Sequence, residues 1–156
     1  MNVKTQILNN KKLLIVDDET DILGIVEEEI RDSYPDVQID TATTFQKAAE
    51  YLRTREYDLV VLDIMGVRGF DLLEIAVSLN RKTVMLTAHA LSLEALKKSH
   101  DSGAIAYLPK DKLGEIVPFL EDALQYEYET AWKRLLTKLG DYYSRKFRSK
   151  VDEKLI

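Results

Sequence analysis

Apolar positions along the chain fall into two alternating patterns. Leu59-Val-Val-Leu62 is a short continuous apolar run rich in β-branched residues, closed by Asp63 and soon after by Gly66. It is too short for a helix, and predicts a strand buried on both faces in the middle of a parallel sheet. Leu13-Leu-Ile-Val16 repeats the pattern and ends in Asp17-Asp18-Glu19. Thr83-Val-Met-Leu86 ends at Thr87, and Ala104-Ile-Ala-Tyr-Leu108 is followed by Pro109-Lys110. Val37-Gln-Ile-Asp-Thr41 alternates apolar and polar residues, which predicts a strand near an edge with one exposed face.

Between these runs the spacing turns helical. Ile22, Leu23, Ile25, Val26 and Ile30 share a stripe, and Pro35 ends it. Thr44 is placed to cap a helix carrying Phe45, Ala48, Ala49 and Leu52. Gly66 and Gly69 flank a short loop before a helix running from Phe70 to Leu79. Leu91, Leu93, Ala95 and Leu96 mark a fourth helix that stops near Gly103. Leu113, Ile116, Val117, Leu120 and Leu124 begin a fifth, with Pro118 expected in its first turn or at a kink. Five strands alternating with five helices over short connections call for an α/β fold, with a parallel sheet covered by helices on both faces and right-handed crossovers.

The apolar pattern does not stop there. Leu120, Leu124, Tyr128, Trp132 and Leu136 recur every fourth residue, as do Leu135, Leu139, Tyr143, Phe147, Val151 and Leu155. The expected organisation is one α/β unit over residues 1–125 and a helical extension over 126–156, broken into two helices at Gly140. The stripe must cover either its own α/β unit or a second copy of the chain. Its aromatic content narrowly favours the second, a homodimer through the C-terminal helix.

Composition narrows the class. The absence of cysteine excludes disulfide and thiol chemistry and suits a reducing, cytoplasmic location. No apolar run approaches the ~20 residues that span a bilayer. A net charge of −5 argues against nucleic acid as a partner of the whole chain. The extension is nonetheless basic, and its Lys133, Arg134, Lys138, Arg145, Lys146, Arg148 and Lys150 read as a solvated helix face. His89 and His100 lack metal-ligand spacing and read as surface residues.

Asp17, Asp18, Asp63, Thr87 and Lys110 all fall just past the ends of predicted strands, and in a parallel sheet those ends share one edge, where ligands bind. Singly, each has a plain structural reading as a helix cap, a strand-end residue or a solvated lysine. Together they gather three carboxylates, a hydroxyl and an ammonium. Such carboxylates repel unless cations intervene. Lys110 supplies one, and Mg²⁺, which takes a few carboxylates and keeps waters, is the natural second. The set suits phosphoryl chemistry, with an Asp as nucleophile and Lys110 and Thr87 facing the transferred oxygens.

The motifs Leu14-Ile-Val-Asp-Asp-Glu19, Leu59-Val-Val-Leu-Asp-Ile-Met65, Met85-Leu-Thr-Ala-His89 and Gly103-Ala-Ile-Ala-Tyr-Leu-Pro-Lys110 resemble the receiver domain of two-component response regulators. The resemblance covers residues 11 to about 125. It implies a doubly wound, flavodoxin-like five-stranded sheet in the order 2-1-3-4-5, which the chemotaxis member of the family exemplifies. By the same resemblance Asp63 matches the phosphoacceptor, Asp18 the direct Mg²⁺ ligand, Asp17 the acid that holds the metal through water, and Met65 the backbone carbonyl ligand. Thr87 matches the switch hydroxyl, Ala88 the small residue beside it, Tyr107 the rotating aromatic and Lys110 the phosphoryl-contacting lysine. Two features depart from the pattern. The loop Ile64-Met-Gly-Val-Arg-Gly69 is shorter than usual and lacks the Met-Pro pair, and Lys110 is followed by Asp111 rather than proline.

The function implied is a phosphoacceptor response regulator. A histidine kinase or histidine phosphotransfer protein supplies the phosphoryl group, Mg²⁺ is the cofactor and a downstream protein is the target. The domain is expected to catalyse its own aspartyl phosphorylation and dephosphorylation rather than turn over a dedicated substrate. The alternative is a degenerate receiver acting as a phosphorylation-independent binding module. A dedicated phosphohydrolase fits less well, because the Asp-x-Asp spacing of aspartate-nucleophile phosphatases is missing, and no Walker A motif is present.

Overall fold

The computed structural model describes residues 6–88 and 92–140. Each apolar run is a strand: β1 (Lys12–Val16), β2 (Gln38–Ala42), β3 (Leu59–Asp63), β4 (Thr83–Thr87) and β5 (Ala106–Pro109). They pair in parallel in the order β2-β1-β3-β4-β5. The order places β3 at the centre, and all five of its residues are buried. β2 is an edge strand with largely accessible side chains, as its alternation predicts. β5 forms the other edge.

The helices are α1 (Thr20–Ser33), α2 (Phe45–Thr54), α3 (Gly69–Ser78), α4 (Leu93–Asp101) and α5 (Ile116–Gln125), followed by α6 (Tyr128–Lys138). Thr44 caps α2 by accepting the Lys47 amide at 3.2 Å. Ser92 does the same for α4 through the Ala95 amide. Pro118 lies in the first turn of α5, where its missing N–H costs nothing. Leu113 belongs to a short 3-10 helix, Lys110–Glu115, rather than to α5. Ile25 departs from the predicted stripe: α1 buries Leu23, Val26 and Ile30, and Ile25 is 46% exposed on the other side.

Register sets the geometry of the upper edge. Val16 pairs with Leu62, Asp63 with Leu86, and Thr87 with Pro109. The carboxyl ends of β1, β3, β4 and β5 therefore finish level. Below them, Leu13–Val16, Leu59–Leu62 and Val84–Leu86 have no exposed surface. A fully buried Leu, Ile or Val contributes about 1.5–3 kcal/mol, so this layer stabilises the polar edge above it.

α6 ends at Lys138 with Leu139 as its cap, beside the Gly140 where a break is expected, and a further break precedes it. Tyr126 and Glu127 take extended backbone angles and separate α5 from α6, ahead of Gly140. Lys82 holds this connection by donating to the Leu124 and Tyr126 carbonyls at 3.0 and 3.1 Å. α6 then folds back on its own chain. Ala131, Trp132, Leu135 and Leu139 are buried in the same core as β5 and α5. The Trp132 indole donates to the Ala104 carbonyl at 2.9 Å. Asp122 of α5 pairs with Arg134 at 3.2 Å and with Lys138 at 2.7 Å. Up to Leu139 the stripe thus covers the protein's own α/β unit rather than a second copy. Tyr143, Phe147, Val151 and Leu155 lie outside the described residues. Two cations of the basic segment are engaged with an acid of α5, not only with water. His100 is also more than a surface residue: its ring stands 5.0 Å from that of Trp132 and 5.3 Å from that of Tyr128. His89 lies outside the described residues, as does Leu91. Among the described residues no helix is long and apolar enough to cross a membrane.

Leu135→Ala should cost about 2–4 kcal/mol in urea denaturation followed by circular dichroism, the range for emptying a packed leucine site. A loss near zero would mean that α6 is not docked in solution.

Candidate active site

The sheet's carboxyl edge brings Asp17, Asp18, Asp63 and Lys110 together. Asp17 follows β1 directly. Its carboxylate accepts the Glu19 amide at 2.9 Å, a short-range turn that fixes its orientation. Asp63 ends β3, and both it and Asp17 are almost fully buried. Asp18 faces outward. One oxygen from each of the three acids lies within 4.8 Å of the others. The Lys110 ammonium reaches into the group from the end of β5, 2.7 Å from Asp17, 3.1 Å from Asp63 and 3.1 Å from Glu19.

These contacts shape the charges. Burial, reinforced by the neighbouring Asp17 carboxylate, pushes Asp63 up to about 6 despite the pull of Lys110. Burial likewise raises Asp17 above the ordinary carboxylate value, against hydrogen bonds from Lys110 and the Glu19 amide. Burial works against the charge on Lys110, but the hydrogen bonds it donates to Asp17, Glu19 and Asp63 outweigh it and hold the ammonium above the usual lysine range. One lysine thus offsets only part of the repulsion among the acids. The residual negative charge, borne on oxygens alone, suits a hard divalent cation such as Mg²⁺.

Two glycines form the wall of the site. Gly66 has φ +83°, and a Cβ there would stand 2.5 Å from an Asp18 carboxylate oxygen. Gly69 lets the loop return against the end of β3, where a Cβ would lie 2.2 Å from the Asp63 carbonyl oxygen. The Gly69 amide donates to the Ile64 carbonyl at 3.1 Å, closing the turn. Arg68 holds a left-handed conformation at φ 57° just before α3. It donates to Asp71 at 2.9 Å and stacks on the Phe45 ring. The Met65 side chain is 69% exposed.

Thr87 ends β4 and is half-buried, and Ala88 beside it is exposed. Tyr107 is fully buried in β5. Its hydroxyl lies against the Thr87 side chain and the Ser92 backbone; burial raises its pKa against these two contacts. The geometry therefore gathers the expected acids with Lys110, and it sets Thr87 and Tyr107 next to each other. Glu19 was missed as a partner of Lys110. Its position two residues after Asp17 was the available signal, but nothing local says that its side chain turns toward β5. Gly69 was noticed only as a loop boundary, and its close approach to Asp63 appears only in three dimensions.

This fold and edge define a doubly wound α/β protein with an acidic, lysine-bridged pocket at the carboxyl ends of its central strands. The family profile of the response regulator receiver domain matches residues 13–120, and the chain belongs to that family. Among curated proteins none matches. The receiver domain of response regulator 1452 from Francisella is 26% identical with a TM-score of 0.60, covering 72% of this chain and 97% of that one. A CheY-like response regulator receiver domain protein from Methanospirillum hungatei JF-1 is similar in fold at 24% identity and a TM-score of 0.58, covering 86% of this chain and 98% of its own. The phosphorylated cyanobacterial phytochrome response regulator RcpA is similar in fold at 21% identity and a TM-score of 0.63, covering 72% of this chain and 92% of its own.

Two outcomes follow from this geometry. The folded protein binds the Asp63 proton more tightly than the unfolded chain does. Ionising Asp63 therefore erodes stability as pH rises from about 4 to about 6, and the full penalty is present above that. Asp63→Asn should raise the metal-free melting temperature by a few degrees at pH 7.5, and the gain should shrink steadily as pH falls through 6 toward 4. A gain independent of pH would place the cause elsewhere. Gly69→Ala should destabilise the protein by more than the ~1 kcal/mol of an ordinary glycine exchange, because backbone rather than a side-chain tip must give way. Melting curves of the variant measure this.

Proposed function

We propose that the chain is a phosphoacceptor of a two-component phosphorelay, acting in the cytoplasm, with Asp63 as the accepting residue. On this reading the receiver spans residues 1–125 and an extension follows it, whose described part holds α6. The observation that carries this reading is the convergence of Asp17, Asp18 and Asp63 oxygens within 4.8 Å, with the Lys110 ammonium 3.1 Å from Asp63. The family match and the phosphorylated state of the similar cyanobacterial protein support it.

In this reading the phosphohistidine of a histidine kinase or phosphotransfer protein enters from the open side of the pocket. A carboxylate oxygen of Asp63 forms a bond to phosphorus as the phosphorus–nitrogen bond breaks, and the imidazole leaves with the electron pair. Asp17, Asp18, Asp63 and the Met65 carbonyl would hold Mg²⁺, which supplies charge neutralisation at the phosphoryl oxygens. Lys110 gives up part of its share in Asp17 and Glu19 to contact the transferred oxygens. The Thr87 hydroxyl donates to one of them, the small Ala88 side chain leaves room, and Tyr107 follows Thr87. A downstream protein reads the altered surface. A homodimer through the extension would have to use the outer side of α6 or residues beyond it, since the inner side is packed on its own chain.

The second reading, a binding module that needs no phosphorylation, has one observation on its side: the short loop that presses Gly66 onto Asp18. The two separate cleanly. With acetyl phosphate and Mg²⁺, intact mass should rise by one phosphoryl group in the wild-type protein and stay unchanged in Asp63→Asn and after chelation. A wild-type mass that never moves would favour the binding module.

A further inference from the structure

Helix α6 is joined to the pocket by a continuous set of contacts that runs through α4. At one end, Tyr107 of β5 and Thr87 of β4 stand on adjacent strands two register positions apart, and the Thr87 side chain and the backbone of Ser92, the residue that caps α4, both act on the buried Tyr107 hydroxyl. Thr87 itself sits one residue beyond the Leu86 that pairs with Asp63. At the other end of α4, the Tyr128 hydroxyl donates to the His100 carbonyl, and the Trp132 indole donates to Ala104 in the segment that follows. The His100 ring packs edge-on against Trp132, with an interplanar angle of 66°. One short helix thus has its first turn on the pocket's hydroxyl pair and its last turn held by two aromatic residues of α6.

We propose that α6 is an internal cover whose docking is linked to the state of Asp63: phosphorylation loosens α6, and docked α6 favours the unphosphorylated form. This rests on the reading of Asp63 as phosphoacceptor. A phosphoryl group brings a charge of about −1.5 to −2 and strong acceptor oxygens. It attracts the Thr87 hydroxyl away from Tyr107. Tyr107 and the Ser92 turn then lose the neighbour that sets their position, and α4, a rigid helix of nine residues, moves as a unit. The contacts at its far end are directional hydrogen bonds and ring edges that weaken steeply with misalignment. They are therefore the first to fail. The surface uncovered, along β5 and α5, is apolar and carries Asp122, which suits a partner helix with an aromatic anchor and basic residues like those of α6. Linkage requires the reverse effect as well: whatever weakens α6 must raise the affinity of the pocket for its charged ligand by the same factor.

Trp132 is the only tryptophan, so the full-length chain carries its own probe. Beryllofluoride with Mg²⁺, and separately acetyl phosphate with Mg²⁺, should change Trp132 emission and speed amide exchange across residues 128–139. Both changes should track the phosphorylated fraction measured by intact mass and be absent in Asp63→Asn. Tyr128→Phe, which removes one hydroxyl contact and keeps the ring, should tighten beryllofluoride binding, by on the order of three- to tenfold. A phosphoryl gain in mass with unchanged emission and exchange overturns the linkage and leaves Asp63 as phosphoacceptor. An unchanged beryllofluoride affinity in a folded Tyr128→Phe overturns it too. No gain in mass removes the phosphoacceptor reading and the linkage together.

Discussion

The position of the Lys110 ammonium among Asp17, Asp63 and Glu19 is the constraint around which the upper half of the molecule is arranged. Taking a charge out of water costs several kcal/mol per ion before a partner offsets it, and two of these acids are almost wholly withdrawn from water. Burial above all, with one cation set against three carboxylates, makes Asp17 and Asp63 both hold their protons more tightly than free carboxylates do. The site is a local excess of negative charge. The all-apolar strands beneath it make that excess tolerable, and level strand ends keep it in one place. A looser sheet would let the acids drift apart and relieve the repulsion, and the pocket would lose its appetite for cations and phosphoryl groups.

Much of this was legible in the amino-acid order, for a simple reason. Buried parallel strands must be continuously apolar, so where each run stops is where the sheet edge lies, and the residue at the stop is displayed there. Asp17, Asp63, Thr87 and Lys110 could therefore be placed together without any three-dimensional information. The misreadings have a common origin in contacts between distant segments. The break between α5 and α6 falls at Tyr126 and Glu127, neither of them a helix breaker, because Lys82 from the start of β4 captures the carbonyls there. A four-residue apolar period runs straight through that corner and suggests one helix. Ile25 fits the α1 stripe by spacing, yet no element of the described chain covers it fully. Histidine spacing suggests only a surface role for His100, and the folded chain sets it beside two aromatic rings.

The extension also resolves the uneven charge of the chain. A basic tail attached to an acidic domain suggests a search for nucleic acid, and part of that basic character is instead spent within the molecule. Asp122, nearly buried on α5, accepts both Arg134 and Lys138 from α6. The Tyr126 ring stacks under Arg134 and the Phe119 ring under Lys138. Each cation is held by an acid and an aromatic face, so the docking is specified in register as well as in hydrophobicity.

The sheet has two outer strands, β2 and β5, and both are short. On β5 the strand is only four residues long and stops at Pro109. On β2 the mid-strand acid Asp40 is clasped by the Tyr57 hydroxyl at 2.6 Å and the Arg55 guanidinium at 2.9 Å. An incoming strand would find few ladder positions on either margin and a charged residue in the middle of one. Short, charged or proline-bearing edges of this kind oppose edge-to-edge polymerisation. These short margins give a second copy of the chain little on which to extend the sheet.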